Sequence, residues 1–257
     1  MKKHNYYRFI ISEAAGLNSL AIDDEFVLTD VYHDLLHQLT KVLRVTTADE
    51  VILLKENFDS SVNHEFVFSV SGLDKKHLKL KLLRKKKIQD VLDRELGLSF
   101  ALPNKPAKLE EVLQHCTELG TTQFNLFKGD YSNYHHQINE KRLFKILVEA
   151  VEQSERARVP RLHFYKDLDA YLEDLQRTCL VALERNLLQE NILEMNIEKG
   201  VDLLVGPEGG FSEREIALIK SYQLRTFTLG KQVLRNETSA ILATGILSLK
   251  MQSSQAN

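Results

Sequence analysis

The stretch from Val201 to Ile216 constrains the fold most, because it joins a short apolar run to a glycine-rich turn and a helix start. Residues 201–205 read Val-Asp-Leu-Leu-Val, and Gly-Pro-Glu-Gly-Gly follows at once at 206–210. Ser212 and Glu215 then have the spacing of a capping box, which opens a helix. A strand, a tight turn and a helix N-terminus in this order present backbone N–H groups to a ligand.

A second strand, glycine turn and helix follow in the same order further along the chain. Residues 225–229 predict a strand that Gly230 ends, and after a polar loop a helix is predicted from Ser239 to Lys250. That helix is apolar nearly all round, which predicts burial on several sides, including at a subunit interface. Turns at the carboxyl ends of neighbouring strands are where open α/β sheets bind ligands, so we predict a small-molecule site here; ordinary tight turns are the alternative. The sequence lacks the G-x-G-x-x-G and P-loop patterns, which disfavours dinucleotides and nucleoside triphosphates.

Composition narrows the class of protein. The 257 residues suffice for one large or two modest domains, and 43% hydrophobic with 27% charged residues is typical of globular proteins. The chain has two cysteines, Cys116 and Cys179, and neither a secretory signal peptide nor a long apolar span, so a cytoplasmic protein without a membrane anchor is expected. His33 and His37 lack a third ligand nearby, so no metal is expected. With a formal net charge of −2, nucleic-acid binding needs a local basic patch.

The pattern of predicted elements changes near residues 88–95. Before it, β-type runs at 26–28, 50–54, 66–70 and 78–83, with one helical piece near 32–42, predict a small β-barrel. After it, strands at 96–102, 124–127, 161–165 and 178–183 alternate with helices, one of them over 138–156. This alternation predicts a mostly parallel α/β sheet covered on both faces. The tail at 252–257 is expected to be frayed.

One basic block stands out at residues 75–87. Leu78, Leu80 and Leu82 alternate with lysines, so a strand would bury the leucines and display the lysines. Arg84 to Lys87 add four consecutive positive charges. A contact with a nucleic-acid phosphate backbone is predicted; a solvated strand face is the alternative.

Two motifs carry a resemblance to a known family. Residues 203–216 read Leu-Leu-Val-Gly-Pro-Glu-Gly-Gly-Phe-Ser-x-x-Glu-Ile, and residues 229–240 read Leu-Gly-Lys-Gln-Val-Leu-Arg-Asn-Glu-Thr-Ser-Ala. At this spacing the pair resembles the RsmE family, SPOUT-class methyltransferases that methylate N3 of a uridine in 16S ribosomal RNA. The resemblance implies S-adenosyl-L-methionine as cofactor, a homodimer, a PUA-like RNA-binding β-barrel over 1–90, and a C-terminal SPOUT-type α/β trefoil knot over 91–257.

The resemblance, the chemistry of methyl transfer and the basic block together suggest candidate site residues. Arg235 would hold an RNA phosphate or a uracil oxygen, and Glu237 would orient its loop or assist removal of the N3 proton. Glu208 would meet the ribose hydroxyls or the sulfonium charge of the cofactor. Further cofactor contacts are expected from Leu183, Gly206, Pro207, Gly209, Gly210, Leu229, Gly230, Leu234, Thr238 and Ala240. RNA contacts are expected from Arg44, Arg84, Lys85, Lys86, Lys87, Lys105, Lys108 and Arg156. The alternatives are a salt-bridged surface loop at 235–237, a surface salt bridge at Arg44 and a solvated helix end at Arg156.

Three segments depart from the family pattern. Asn236 stands where threonine is usual, residues 128–132 replace a Glu-Arg-Ser-type segment, and residues 182–184 replace a His/Asn-Pro-type turn. The rival hypotheses are therefore a SPOUT enzyme that acts on another RNA base and a non-catalytic RNA-binding assembly factor. Because uridine N3 lies on the Watson–Crick edge, a substrate uridine must be unpaired or flipped out.

Overall fold

The computed structural model describes residues 6–12, 16–73, 77–183, 190–197 and 200–255. Within these ranges the chain folds into two units, each with its own sheet. The first contains the described residues up to Asp90 together with Glu155–Arg158, and the second contains Val91–Ser154 and the residues from Val159 onward. The chain thus returns to the first unit for one short segment after the second unit has begun.

The first unit is built on a five-stranded sheet with strand order β1-β3-β4-β5-β2. Strands β1 and β3 pair in parallel, and the other neighbours are antiparallel. The elements are β1 (Tyr6–Ile11), β2 (Glu25–Leu28), α1 (His33–His37), β3 (Glu50–Lys55), β4 (Val62–Leu73) and β5 (Leu78–Gln89). A π-helical turn over Gln38–Val42 extends α1. The four predicted strands are confirmed, and β1 was not predicted.

Strand β5 has the predicted alternation in its first half. Leu78, Leu80 and Leu82 are fully buried and belong to the core of this unit. The pairing with β4 is then irregular, because Phe68 faces Leu82 whereas Val67 faces Arg84. Beyond this bulge the strand continues to Gln89, so the charges at 84–87 lie on a strand that is longer than predicted. Lys75 and Lys76 of the basic block lie outside the described residues.

A buried ion cluster holds the returning segment inside the first unit. Arg156 donates to Asp90 from Nε at 3.0 Å and from Nη2 at 2.7 Å, and Arg158 donates to Asp90 from Nε at 2.9 Å. The side chains of these three residues are at most 2% exposed. Burial by itself raises the pKa of Asp90, but the hydrogen bonds and charges of the two arginines outweigh it and lower that pKa.

This cluster corrects the prediction made for Arg156. The preceding helix ends at Gln153, not at 156, and Arg156 itself is 3% exposed. A guanidinium that is buried against a carboxylate is not available to RNA phosphates, and Arg156 is not at a solvated helix end either. Its function here is structural.

The second unit is built on a seven-stranded sheet whose paired strands are all parallel, with strand order β10-β12-β9-β11-β6-β7-β8. The predicted α/β class with a parallel sheet is thereby confirmed. The strands are β6 (Leu96–Ala101), β7 (Gln123–Phe127), β8 (Arg161–Tyr165), β9 (Thr178–Ala182), β10 (Glu190–Asn191), β11 (Val201–Val205) and β12 (Arg225–Thr228). The helices are α2 (Pro106–Glu118), α3 (Glu140–Gln153), α4 (Leu168–Glu173), α5 (Glu213–Ser221) and α6 (Asn236–Gln255).

The centre of this sheet is covered on both faces. Every residue of β6 and β11 is buried, which is typical of interior strands of a parallel sheet. Helices α4 and α5 contribute Tyr171, Leu172 and Ile219 to one core cluster, and α6 packs against β6, β11 and α2.

Helix α6 corrects two predicted boundaries. It begins at Asn236 instead of Ser239, so Asn236 and Glu237 lie in its first turn and not in a loop. It also continues to Gln255, through most of the tail that was expected to be frayed; Ala256 and Asn257 lie outside the described residues.

The described residues also lack three features that would point to other classes of protein: a membrane-spanning helix, a metal-ligand group and a disulfide. No helix in these ranges is long and apolar enough to cross a membrane. In the same ranges, no group of three or more His, Cys, Asp or Glu side chains is placed to hold a metal ion. Cys116 and Cys179 are both buried and unbridged.

We expect Asp90→Asn to lower the free energy of unfolding at pH 7 by about 3–5 kcal/mol, because it leaves two buried arginines without their counter-charge. Since the pKa of Asp90 is depressed in the folded state, the advantage of the wild type is complete above the unfolded pKa of about 3.9 and shrinks as the pH falls through the folded value. Urea denaturation between pH 2 and 7 measures both effects.

The matched control for this test is Asp34→Asn, since Asp34 is exposed on α1. We expect that variant to change stability by less than about 0.5 kcal/mol. An Asp90→Asn protein as stable as the wild type would contradict the structural role of the cluster.

Candidate functional site

The candidate site lies at the carboxyl edge of the seven-stranded sheet, where the turns that follow parallel strands come together. The turn after β11 lies next to the turn after β6, because β11 and β6 are paired neighbours. The two glycine turns were expected to follow adjacent strands. They follow β11 and β12, and β9 lies between these strands.

The turn at 206–210 is closely packed. The amide N–H of Gly210 donates to the carbonyl of Pro207 at 2.9 Å. A Cβ atom at Gly206 would lie 2.9 Å from the ring of Phe211, so this position has no room for a side chain. The capping box is confirmed: the amide of Glu215 donates to the Ser212 hydroxyl at 3.1 Å, and the amide of Ser212 donates to the Glu215 carboxylate at 2.9 Å.

The loop at 128–132 is bound to this helix start. The amide of Asp130 donates to Glu215 Oε1 at 3.0 Å, and the Asp130 carboxylate accepts from the Ser212 hydroxyl and from Arg214 Nη2, the latter at 2.9 Å. Hydrogen bonds from Arg214 and then Ser212 lower the pKa of Asp130. The loop also touches the glycine turn, since a Cβ atom at Gly209 would lie 3.0 Å from Cβ of Tyr131. One of the three segments that depart from the family pattern therefore forms a wall of the site.

Lys108 connects two carboxylates that come from different turns. Its Nζ donates to Glu208 Oε1 at 3.2 Å and lies 3.4 Å from Glu237 Oε1. The backbone amide of Asn104 donates to both oxygens of Glu208, at 3.1 and 3.3 Å. Partial burial lowers the pKa of Lys108, but the hydrogen bond to Glu208 and the charge of Glu237 outweigh it, and that pKa is raised.

The second glycine turn leads into the first turn of α6. Gly230 has φ = 121°, a conformation that favours glycine, and its amide donates to the Thr228 hydroxyl at 3.2 Å. Arg235 is exposed, whereas Glu237 is only 8% exposed. Among the described residues, neither Asn236 Nδ2 nor Glu237 Oε2 has a hydrogen-bond partner, although both atoms are buried. Buried polar atoms of this kind are suited to meet a ligand.

The structure thus brings together some of the predicted site residues. Glu208, Glu237 and Lys108 are in mutual contact through the lysine ammonium. Leu183 directly follows β9 and Leu229 directly follows β12, and both are partly exposed. Leu234, in the loop before α6, is also partly exposed, whereas Ala240 is buried in α6 and Thr238 is exposed. Glu184, from the third departing segment, lies outside the described residues.

The basic side chains predicted to contact RNA differ in whether their charges are already paired within the protein. Arg84 pairs with Glu50 at 2.7 Å, Lys86 lies 3.7 Å from Glu65, and Lys85 lies over the ring of Phe66. The exposed side chains Arg44, Lys87 and Lys105 keep their place as candidate phosphate contacts. Lys108 differs from these side chains because its ammonium lies between two carboxylates, those of Glu208 and Glu237.

Sequence reasoning missed Asn104 and Asp130. Asn104 acts through its backbone amide, which no side-chain pattern reveals. Asp130 lies three residues after the end of β7, and a polar residue in the loop after a buried strand was the available signal. Its contact with Ser212 and Arg214 depends on which strand ends lie side by side.

Comparison with known proteins identifies the class. Residues 92–248 match the family described as an RNA methyltransferase domain. Because this match covers more than half of the chain, the chain belongs to that family.

The chain is also similar to proteins named ribosomal RNA small subunit methyltransferase E. It is 28% identical to the protein of Rickettsia conorii over 228 aligned residues, and this alignment covers 87% of this chain and 89% of the relative. It is 28% identical to the protein of a Synechocystis species over 225 aligned residues, which cover 85% of this chain and 72% of the relative. The crystal structure of the Neisseria gonorrhoeae enzyme of this name, bound to S-adenosyl methionine, has the same fold with a TM-score of 0.76 and 21% identity, over 95% of this chain and 98% of that one. The predicted resemblance to the RsmE family is confirmed.

We expect Gly206→Ala to destabilise the second unit by about 1–3 kcal/mol, the usual cost of forcing extra volume into a packed site. The added methyl group would press on the Phe211 ring at 2.9 Å. Thermal denaturation measures the change.

Gly245→Ala in α6 is the control, because its added Cβ would lie 3.7 Å from Leu119, an ordinary contact. Alanine in place of a helical glycine should leave stability unchanged or raise it by up to about 1 kcal/mol. Equal melting temperatures for the two variants would contradict the close packing of the turn.

Proposed function

We propose that this chain transfers a methyl group from S-adenosyl-L-methionine to N3 of a specific uridine in 16S ribosomal RNA of the small subunit. Membership of the RNA methyltransferase family and the names of the similar proteins support the proposal. The observation that carries it is the meeting of Glu208, Lys108 and Glu237 beside two glycine turns at the carboxyl edge of a parallel sheet.

The residues present fit the cofactor. The exposed backbone of Gly209 and Gly230 and the apolar side chains of Leu183, Leu229 and Leu234 suit an adenosine group. Two carboxylates and one ammonium leave the cluster with a charge of about −1 when all three are ionised. That charge complements a sulfonium. When bound, the cofactor supplies an electrophilic methyl group on a positively charged sulfur.

The chain's own residues then prepare the nucleophile. Uridine N3 carries a proton and attacks poorly until that proton leaves. Glu237 Oε2 is a buried acceptor without a partner among the described residues, so it is suited to accept a hydrogen bond, and then the proton, from N3–H. Arg235, exposed just before α6, holds an RNA phosphate or stabilises the negative charge that develops on a uracil oxygen.

The proposal includes a PUA-like barrel, a trefoil knot, a homodimer and a cytoplasmic location. Residues 1–90 would form a PUA-like barrel that binds RNA through Arg44 and the basic end of β5, and residues 91–257 a SPOUT trefoil knot. A homodimer would form through α6, where Leu242 and Leu249 are 43% and 67% exposed. Two buried, unbridged cysteines support a reducing cytoplasm.

The direct test is methyl transfer from labelled S-adenosyl-L-methionine to small ribosomal subunits from a strain that lacks this protein. We expect incorporation of label and, by mass spectrometry of the nucleosides, N3-methyluridine. Another methylated nucleoside would support a SPOUT enzyme with a different target. Cofactor binding without incorporation, beside an active control enzyme, would support a non-catalytic RNA-binding factor.

The role of Arg235 has a separate test. We expect Arg235→Ala to lower the single-turnover rate by about 100-fold or more, as for the loss of a group that stabilises developing charge. Because the Arg235 side chain is exposed, cofactor affinity measured by calorimetry should stay within about threefold, less than the tenfold that 1.4 kcal/mol represents. Normal turnover of this variant would exclude Arg235 from catalysis.

A further inference from the structure

Lys108 occupies a position that is unfavourable for a cation when α2 is considered alone. The helix begins at Pro106, so Lys108 lies in its first turn, where the helix dipole favours negative charge. Its ammonium is held by Glu208 and Glu237, and its side chain is 24% exposed. A cation that breaks a local rule and is compensated only by tertiary contacts is a mark of a functional position.

Each carboxylate also depends on this lysine. Glu208 and Glu237 both have an oxygen within 3.4 Å of the same Nζ, so without that cation two negative groups would face each other at short range. The side chains of Glu237 and Glu208 are 10% and 26% exposed, which limits screening by water. The amide of Asn104 fixes Glu208 from a second direction.

We propose that Lys108 is a positioning residue for the methyl-transfer reaction and not a contact to RNA. It joins the turn after β11 to the first turn of α6, and it holds Glu237 through Oε1. The other oxygen of Glu237, Oε2, is buried and has no hydrogen-bond partner among the described residues, so it is left for the proposed role as acceptor. This inference rests on the proposed function, since the acceptor role of Glu237 belongs to that proposal.

Lys105 provides the contrast that makes the inference testable. It lies at the N-cap of the same helix, carries the same charge and is exposed. An exposed lysine of this kind contacts phosphates if the segment binds RNA, and its removal lowers the slope of log affinity against log salt by about 1. Lys145, an exposed lysine on α3, is a neutral control.

The experiment compares Lys108→Gln, Lys105→Gln and Lys145→Gln with the wild type. We expect Lys108→Gln to lower the single-turnover rate at saturating cofactor and small subunits by about 10- to 100-fold, the range for a lost hydrogen bond to a charged group. Its affinity for 16S RNA and the salt slope, from filter binding, should be unchanged. Lys105→Gln should lower the affinity for 16S RNA and the salt slope, with a smaller effect on the saturating rate than Lys108→Gln. Lys145→Gln should change neither the rate nor the affinity. Lys108→Arg, which keeps the charge, should restore part of the rate.

A second measurement does not depend on turnover. Hydrogen exchange by mass spectrometry should show faster exchange in Lys108→Gln, but not in Lys145→Gln, at 206–210 and in the first turn of α6. If exchange at both turns is unchanged, the inference is overturned whether or not the wild type is active. A saturating rate like that of the wild type, or a loss of RNA affinity like that of Lys105→Gln, would also overturn it. Faster exchange together with an inactive wild type would keep Lys108 as the link between the turns and reject the proposed reaction instead.

Discussion

The parallel pairing of β6 with β11 is the constraint on which the candidate site depends. The register runs from Leu96 opposite Val201 to Phe100 opposite Val205, so both strands end at the same edge. Every residue of the two strands is buried, and burial on both faces fixes this register strongly. As a result, the turn that contains Asn104 lies beside the turn that contains Glu208, although about a hundred residues separate them in the chain.

Charge at this edge is arranged by tertiary contacts. Glu208 follows β11, Glu237 lies in the first turn of α6 and Lys108 in the first turn of α2, and the ammonium of Lys108 lies within 3.4 Å of each carboxylate. In a partly buried environment such charges interact more strongly than in water, so their geometry is more restricted than that of surface pairs. Tertiary contacts also fix the more exposed loop at 128–132, where Arg214 and Ser212 hold Asp130 against the start of α5.

In the first unit, buried ion pairs hold a chain segment in place. Asp90, at the end of β5, is completely enclosed with Arg156 and Arg158, and Arg8 Nη2 donates to the carbonyl of Arg156 at 2.7 Å. These contacts keep the segment after α3 within the first unit. An arginine near a predicted cleft in sequence therefore has a structural function, whereas the basic residue Lys87 is exposed on β5.

The sequence by itself determined the local elements and the chemistry of the turns. Periodicity placed the parallel strands, the Ser212–Glu215 spacing gave the helix start, and the two glycine motifs gave the family. These features depend on contacts within a few residues, which a single sequence displays. The start of α6 at Asn236, the burial of Arg156 and the engagement of Lys108 were decided only by the tertiary structure. The physical reason is that burial and ion pairing depend on which distant groups share a low-dielectric environment, and no local pattern contains that information.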